Sequence, residues 1–196
     1  SFIQYLIDSE SPTLETDYKD KLMQLFLSQQ KVNDINKNPY QHIIQCMTKK
    51  MDHIDSLFIS NSMPIRLINQ FFQSKNTLLS CFSNRGASGI DGIISSAAGV
   101  CCDNQKKTVL ITGDLAFLYD TNGLFFIKKY QIPLTIVVLN NNGGGIFHSC
   151  PIAKEKDIFQ PYFQTPHQLD CKYLAYQYDI DYQLINYDES FLEKFD

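Results

Sequence analysis

Two polar clusters in this sequence have the residue types and the spacing to do chemistry together. Gly113-Asp114-Leu115 follows the apolar run Thr108 to Thr112, and Asn140-Asn141-Asn142-Gly143-Gly144-Gly145 follows the aliphatic run Leu134 to Leu139. Between Leu115 and Asn140 lie residues 116–139, 24 positions, a gap that one crossover helix fills. If the two runs are adjacent parallel strands, the Asp114 carboxylate and an Asn carboxamide oxygen stand side by side. With a backbone carbonyl from the glycine turn they make three oxygen ligands, a set that suits octahedral Mg²⁺ completed by phosphate oxygens and water. The glycines would let a diphosphate reach backbone N–H groups at helix N-termini. Either cluster alone reads as an ordinary turn; the reading rests on the pair at this spacing.

Two further residues stand out by their rarity. The chain has 15 Lys but only two Arg, Arg66 and Arg85. Each lies beside another strand-end cluster, Asn61-Ser62 and Asn84-Arg85-Gly86 respectively. A guanidinium fork binds a carboxylate bidentately and an ammonium does not, so these positions are expected to take an anionic substrate; the plainer reading is an ion pair or a helix-surface charge. Asp91 is expected to cap or orient Arg85 locally, and Tyr119 and Asp120 to serve packing and surface roles. His42, His53 and His167 read as surface or loop histidines, and His148 as a core or rim residue. Cys150 lies two positions from His148, a separation at which side chains diverge.

The elements that must position these residues follow from periodicity. All nine glycines fall between Gly86 and Gly145, which marks the window where backbone turns tightly or approaches a ligand. Residues 13–31 and a segment after Pro39 have helical spacing and read as linker helices. Strands are expected at residues 57–60, 77–82, 108–112, 134–139 and 182–185. Helices are expected at 65–72, 88–102, 116–129 and 168–178. Strand and helix alternate, and the most apolar strands lack polar alternation, so they should be buried on both faces of a parallel sheet. The predicted fold is an open, doubly wound α/β domain over residues 57–196, truncated at its C-terminus. Residues 1–56 would form the tail of a preceding domain and a helical linker. In such sheets ligands bind beyond the carboxyl ends of the strands, where every cluster above sits.

Composition narrows the classes. At 196 residues, 44% hydrophobic and 19% charged, the chain is ordinary globular protein. Its net charge of -4 supplies no field for nucleic acid, and no apolar run approaches the roughly 20 residues of a membrane-spanning helix. The six cysteines lack CxxC spacing and read as inert thiols in a reducing compartment, cytoplasm or plastid stroma. Ser1 rather than Met opens the chain, which is expected to be a piece of something longer. No P-loop and no GxGxxG fingerprint occurs, which weakens ATPase and nicotinamide readings.

Gly-Asp followed one crossover later by Asn-Asn resembles the signature of thiamine diphosphate (ThDP) enzymes, with Leu115 where most of them carry a glycine. Four stretches together resemble the C-terminal ThDP domain of the SEPHCHC synthase (MenD) family, which has Gly-Asp-Leu at this point. They are Asn61-Ser-x-x-x-Arg66, Ser83-Asn-Arg-Gly-Ala-Ser-Gly-Ile-Asp-Gly92, Gly113-Asp-Leu-x-x-Leu-Tyr-Asp120 and Asn140-Asn-Asn-Gly-Gly-x-Ile-Phe147. The resemblance implies Asp114, Asn141 and the Gly143 carbonyl as ligands of Mg²⁺ or Mn²⁺, with Gly113 and Leu115 in the cofactor turn. It implies Ile90 beneath a bent cofactor, Ile146 and Phe147 near the thiazolium, and Ser62, Arg66 and Arg85 on the substrates. The family decarboxylates 2-oxoglutarate and adds the succinyl carbanion to isochorismate in menaquinone and phylloquinone biosynthesis.

ThDP chemistry also needs a carboxylate on a pyrimidine-binding domain, normally that of a second subunit in a homodimer or homotetramer. The five glutamates, at 10, 15, 155, 189 and 193, lie outside the motif window, so this stretch alone is expected to be inactive. Two alternatives stay open: another ThDP-dependent decarboxylase or carboligase, acetolactate-synthase-like, and a noncatalytic module of the same fold.

Overall fold

The computed structural model describes residues 39–50, 54–72, 79–104 and 107–185. The predicted helix at 13–31, the start of the strand at 77–82, His53 and the glutamates at 10, 15, 189 and 193 lie outside them. Four strands form one parallel sheet in the order β2-β1-β3-β4: β1 (Ser56–Ile59), β2 (Ser80–Phe82), β3 (Thr108–Gly113) and β4 (Leu134–Leu139). The predicted α/β class holds. The chain leaves β1 outward to β2, then returns across to β3 and continues to β4, so its direction reverses between β1 and β3. Carboxyl ends diverging at such a switch point open a crevice for ligand.

Period-two alternation sorts the strand residues onto two cores. Leu57 and Ile59 of β1 with Val109 and Ile111 of β3 face α1 (Pro39–Lys50) and α2 (Met63–Phe71), where Ile44, Met47, Leu67, Ile68 and Phe71 are buried. Phe58 and Leu110 face the opposite layer, built by α3 (Ile93–Asn104), α4 (Asp114–Tyr119) and α5 (Gly123–Tyr130). Ile44 and Met47 have no exposed surface, so the helix at 39–50, read from sequence as linker, shares the core of the sheet. Burying such side chains contributes about 2 kcal/mol each.

Three expectations about elements are corrected. The helix predicted at 116–129 is two, α4 and α5, interrupted at 120–122. Asp120 is buried there because its carboxylate accepts the Ser95 N–H at 2.7 Å and the Ser95 hydroxyl at 3.1 Å, capping the first turn of α3. Gly123 allows the same close approach, since a Cβ would lie 3.0 Å from the Ile94 side chain. The helix predicted from residue 88 begins only at Ile93, after Gly92 at φ 65°. Ahead of it, the Asn61 side chain engages the carbonyls of Asn84 and Gly89, which commits that stretch to a loop. Residues 182–185 form no strand; Tyr182 instead packs on the core beyond α6 (Cys171–Gln177), whose first turn is capped by Asp170 accepting the Lys172 N–H at 2.9 Å.

Candidate active site at the carboxyl ends of the strands

The parallel register pairs Gly113 with Leu139 and Ile59 with Ile111. Asp114 thus leaves β3 level with the start of the asparagine turn after β4, and Asn61 leaves β1 on its other side. Asp114 is 2% exposed. Its Oδ2 accepts the Gly143 N–H at 2.8 Å, and its Oδ1 accepts the N–H of Leu115 at 2.8 Å. The two clusters singled out in the sequence are therefore joined by a direct hydrogen bond.

The three asparagines of the turn divide the work. Asn140 Oδ1 accepts the Asn142 N–H at 2.9 Å, an Asx turn that shapes the loop. Asn142, left-handed at φ 61°, accepts the Gln168 N–H on its Oδ1 at 2.8 Å. Only Asn141 keeps its carboxamide without a hydrogen-bond partner among the described residues. That group lies over Gly145, where a Cβ would come within 2.3 Å of Asn141 Nδ2 and 3.7 Å of Oδ1, so the oxygen is turned away from the glycine. The Gly143 carbonyl accepts the Gly145 N–H at 2.9 Å and keeps one lone pair. One carboxylate and two neutral oxygens are a donor set that fits a hard divalent ion. No cluster of three or more His, Cys, Asp or Glu side chains competes for such an ion among the described residues.

The N–H groups of the three turn glycines are themselves committed within the protein. Gly143 donates to Asp114, Gly144 to the Gln164 carbonyl at 2.6 Å, and Gly145 to Gly143. These glycines serve close packing of protein on protein. A Cβ on Gly143 would sit 2.1 Å from the Gln164 carbonyl oxygen, and one on Gly144 2.4 Å from that of Phe163. The chain that crosses here is a π-turn (Gln160–Gln164) running into an irregular strap at 165–170.

The strap delivers a residue to which local reading gave no role. His167, expected to be a surface or loop histidine, does lie on a loop, but its side chain is only 10% exposed and its Nε2 lies 3.1 Å from Asp114 Oδ2. A separation of 53 positions hides the pair from any local motif; the one sequence signal was Pro166 beside it, marking a fixed backbone. Cys171, just beyond, is buried, and burial together with the nearby Asp170 and Asp114 carboxylates pushes its thiol pKa up.

On the β1–β2 side, Asn61 is buried and anchors the loop at 83–92, donating to the Gly89 carbonyl at 2.6 Å and the Asn84 carbonyl at 3.1 Å. Its Oδ1 accepts Arg85 Nη1 at 2.9 Å. Asn61, not Asp91, orients the guanidinium. Arg85 is exposed at a cleft of about 530 Å³ formed by its own loop, with most of its donors available to an anion. Arg66 Nη1 donates to the Ser62 carbonyl at 2.6 Å, and Ser62 itself holds φ 71°, a left-handed strain at the first residue before α2. Ile90 is half-buried against the core layer to which Phe58 belongs. Ile146 and Phe147 sit on the 3-10 turn Gly145–Ser149 directly after the asparagine loop, with the Phe147 ring edge-on to Phe163. His148 stacks obliquely on Phe159, and both it and Cys150 are exposed. No helix of the described residues is long and apolar enough to cross a membrane.

The sequence is similar to those of known proteins. Residues 65–195 match the family model of the thiamine pyrophosphate enzyme C-terminal TPP binding domain. A 2-succinyl-5-enolpyruvyl-6-hydroxy-3-cyclohexene-1-carboxylate synthase of Leuconostoc mesenteroides is 44% identical over 149 residues, 76% of this chain and 27% of that protein. Proteins of the same name from Bacillus velezensis and a Nostoc species are each 46% identical, over 63% and 66% of this chain and 21% and 22% of their own lengths. The chain spans about a quarter of the length of these curated relatives. With its family model matched over most of its length, on a doubly wound sheet whose strand ends join an aspartate to an asparagine turn, the chain belongs to the thiamine pyrophosphate enzymes and carries their C-terminal, cofactor-binding domain.

Proposed function

We propose that this chain is the diphosphate-binding part of a SEPHCHC synthase, which decarboxylates 2-oxoglutarate and joins the remaining succinyl unit to isochorismate. The observation that carries the reading is the Asp114–Gly143 hydrogen bond, which joins the aspartate to the turn that holds the Gly143 carbonyl and the one uncommitted asparagine. Similarity to synthases of that name supports the choice of substrates.

Asp114, Asn141 and the Gly143 carbonyl would hold Mg²⁺ or Mn²⁺, and with Gly113 and Leu115 the diphosphate end of ThDP. Bound ThDP supplies the electron sink for decarboxylation. Ile90, Ile146 and Phe147 give the reacting end an apolar wall that keeps water out. Arg85, held by Asn61, and Arg66, held by the Ser62 carbonyl, each fix one edge of a guanidinium and leave the other to a substrate carboxylate. Substrates with several carboxylates match two such forks. Ser62 contributes a hydroxyl beside them. The carboxylate that activates the cofactor belongs to a pyrimidine-binding domain of a second subunit.

Calorimetric titration of ThDP with Mg²⁺ into the intact protein tests the site: D114A should abolish metal-dependent binding, and unchanged binding refutes it. Offering 2-oxoglutarate and pyruvate as alternative donors tests the substrate. Turnover of 2-oxoglutarate with isochorismate is expected, and a preference for pyruvate would assign the chain to another carboligase.

A further inference from the structure

Asp114 is surrounded by more than the motif requires. Oδ2 takes two donors, the Gly143 N–H at 2.8 Å and His167 Nε2 at 3.1 Å, while Oδ1 takes only the Leu115 N–H at 2.8 Å. The far side of the imidazole fixes its chemistry. The Leu169 N–H donates to His167 Nδ1 at 3.0 Å, a role that only an unprotonated Nδ1 can fill, so the ring proton stands on Nε2 and points at the carboxylate. In that tautomer Nε2 has no lone pair for a metal, and His167 acts as a donor instead of a ligand.

The strap is built to hold the ring there. It is tied to the asparagine turn at two points, Gly144 N–H to the Gln164 carbonyl and Gln168 N–H to Asn142 Oδ1. Thr165 and Gln168 both take left-handed backbone, at φ 45° and 53°, on either side of Pro166. Non-glycine residues keep such angles only where surrounding contacts enforce them.

We infer that His167 is a positioning residue for Asp114: its Nε2–H occupies the second acceptor site of Oδ2 and so leaves Oδ1 as the oxygen presented to the metal. The inference rests on the proposed ligand role of Asp114. A donor behind a ligating carboxylate fixes its rotation, and loss of such outer partners typically weakens metal binding by about 10- to 100-fold.

The test is Mn²⁺ titration of the intact protein in the presence of ThDP, followed by electron paramagnetic resonance, for wild type, D114N, H167F and H167Q. H167F keeps a ring and removes the donor, and should weaken Mn²⁺ by about 10-fold or more. H167Q restores a side-chain N–H and should recover most of that loss, which a purely space-filling role would not allow. Mn²⁺ bound by H167F as tightly as by wild type, or by H167Q as weakly as by H167F, overturns the inference. Wild-type Mn²⁺ affinity in D114N sinks the ligand reading itself, so the two failures are told apart. Should H167F not fold, the long-range nitrogen–proton spectrum of histidine-labelled wild type decides: an Nε2–H ring is expected, and an Nδ1–H ring at position 167 refutes the donor role.

Discussion

The two glycine-rich segments flanking the site use the same residue for opposite purposes. After β4, glycine makes room for other atoms: a Cβ on Gly143, Gly144 or Gly145 would meet Gln164 O, Phe163 O or Asn141 Nδ2 at 2.1, 2.4 and 2.3 Å. After β2, Gly86 and Gly92 have nothing within 4 Å of a Cβ, and Gly89 would meet only the Asp91 side chain. There the exposed loop needs glycine for conformation, as at Gly92 with φ 65°. One region is a cage whose donors are already spent on the protein, suited to holding ligand oxygens of a small ion at fixed distances. The other presents a guanidinium held by one asparagine on an exposed loop, suited to gripping a flexible carboxylate.

The sharpest way to break this comparison is alanine at position 143. Gly143 combines φ 132° with backbone in the path of a Cβ, so G143A should lose about 3 kcal/mol or more in denaturant unfolding. A loss below about 1 kcal/mol would show that the strap yields easily and the cage is not rigid. Next in size, D120A removes both acceptors at the start of α3 and should cost about 1 kcal/mol; an unchanged midpoint would mean that Asp120 contributes no cap. G86A, with open space around it, should stay within about 0.5 kcal/mol of wild type, and a larger loss would erase the contrast between the loops.

The smallest effect lies far from both loops. Lys128 beside Asp179 holds that exposed carboxyl below the usual aspartate range. A lowered native pKa stabilises the fold above the unfolded-state value, and the contribution disappears as pH falls through the lowered one. The melting-temperature difference between wild type and D179N should be slight at neutral pH, shrink with added salt and vanish in acid. A difference that grows in acid would reverse the sign assigned to the pair.

Legibility followed the range of the interaction. Leu134–Leu139 was readable to the residue because a run of aliphatic and β-branched residues ending at an asparagine-glycine turn favours a strand; its expected burial on both faces is corrected, since β4 is the edge strand of the described sheet and is only half-buried. The break between α4 and α5 was not, because Asp120 answers to Ser95, 25 positions away. Likewise, nothing near Arg85 announced that Asn61 would hold it, while Asp91 in the same loop was the obvious and incorrect partner.

The sequence by itself determined the alternating architecture, the strand ends at which polar residues gather, and the pairing of an acidic with an amide oxygen donor across one crossover. Those properties reside in residue type and short spacing, which periodic backbone converts directly into position. Only the tertiary structure decided which asparagine stays uncommitted, that the glycine N–H groups are consumed internally, and that His167 stands behind Asp114. The commitment of Asn142 and the placing of His167 depend on a strap returning to the asparagine turn from more than twenty residues away, and the Gly143 N–H is taken by Asp114 from the neighbouring strand end; such meetings are set by packing of the whole domain, which no local spacing records.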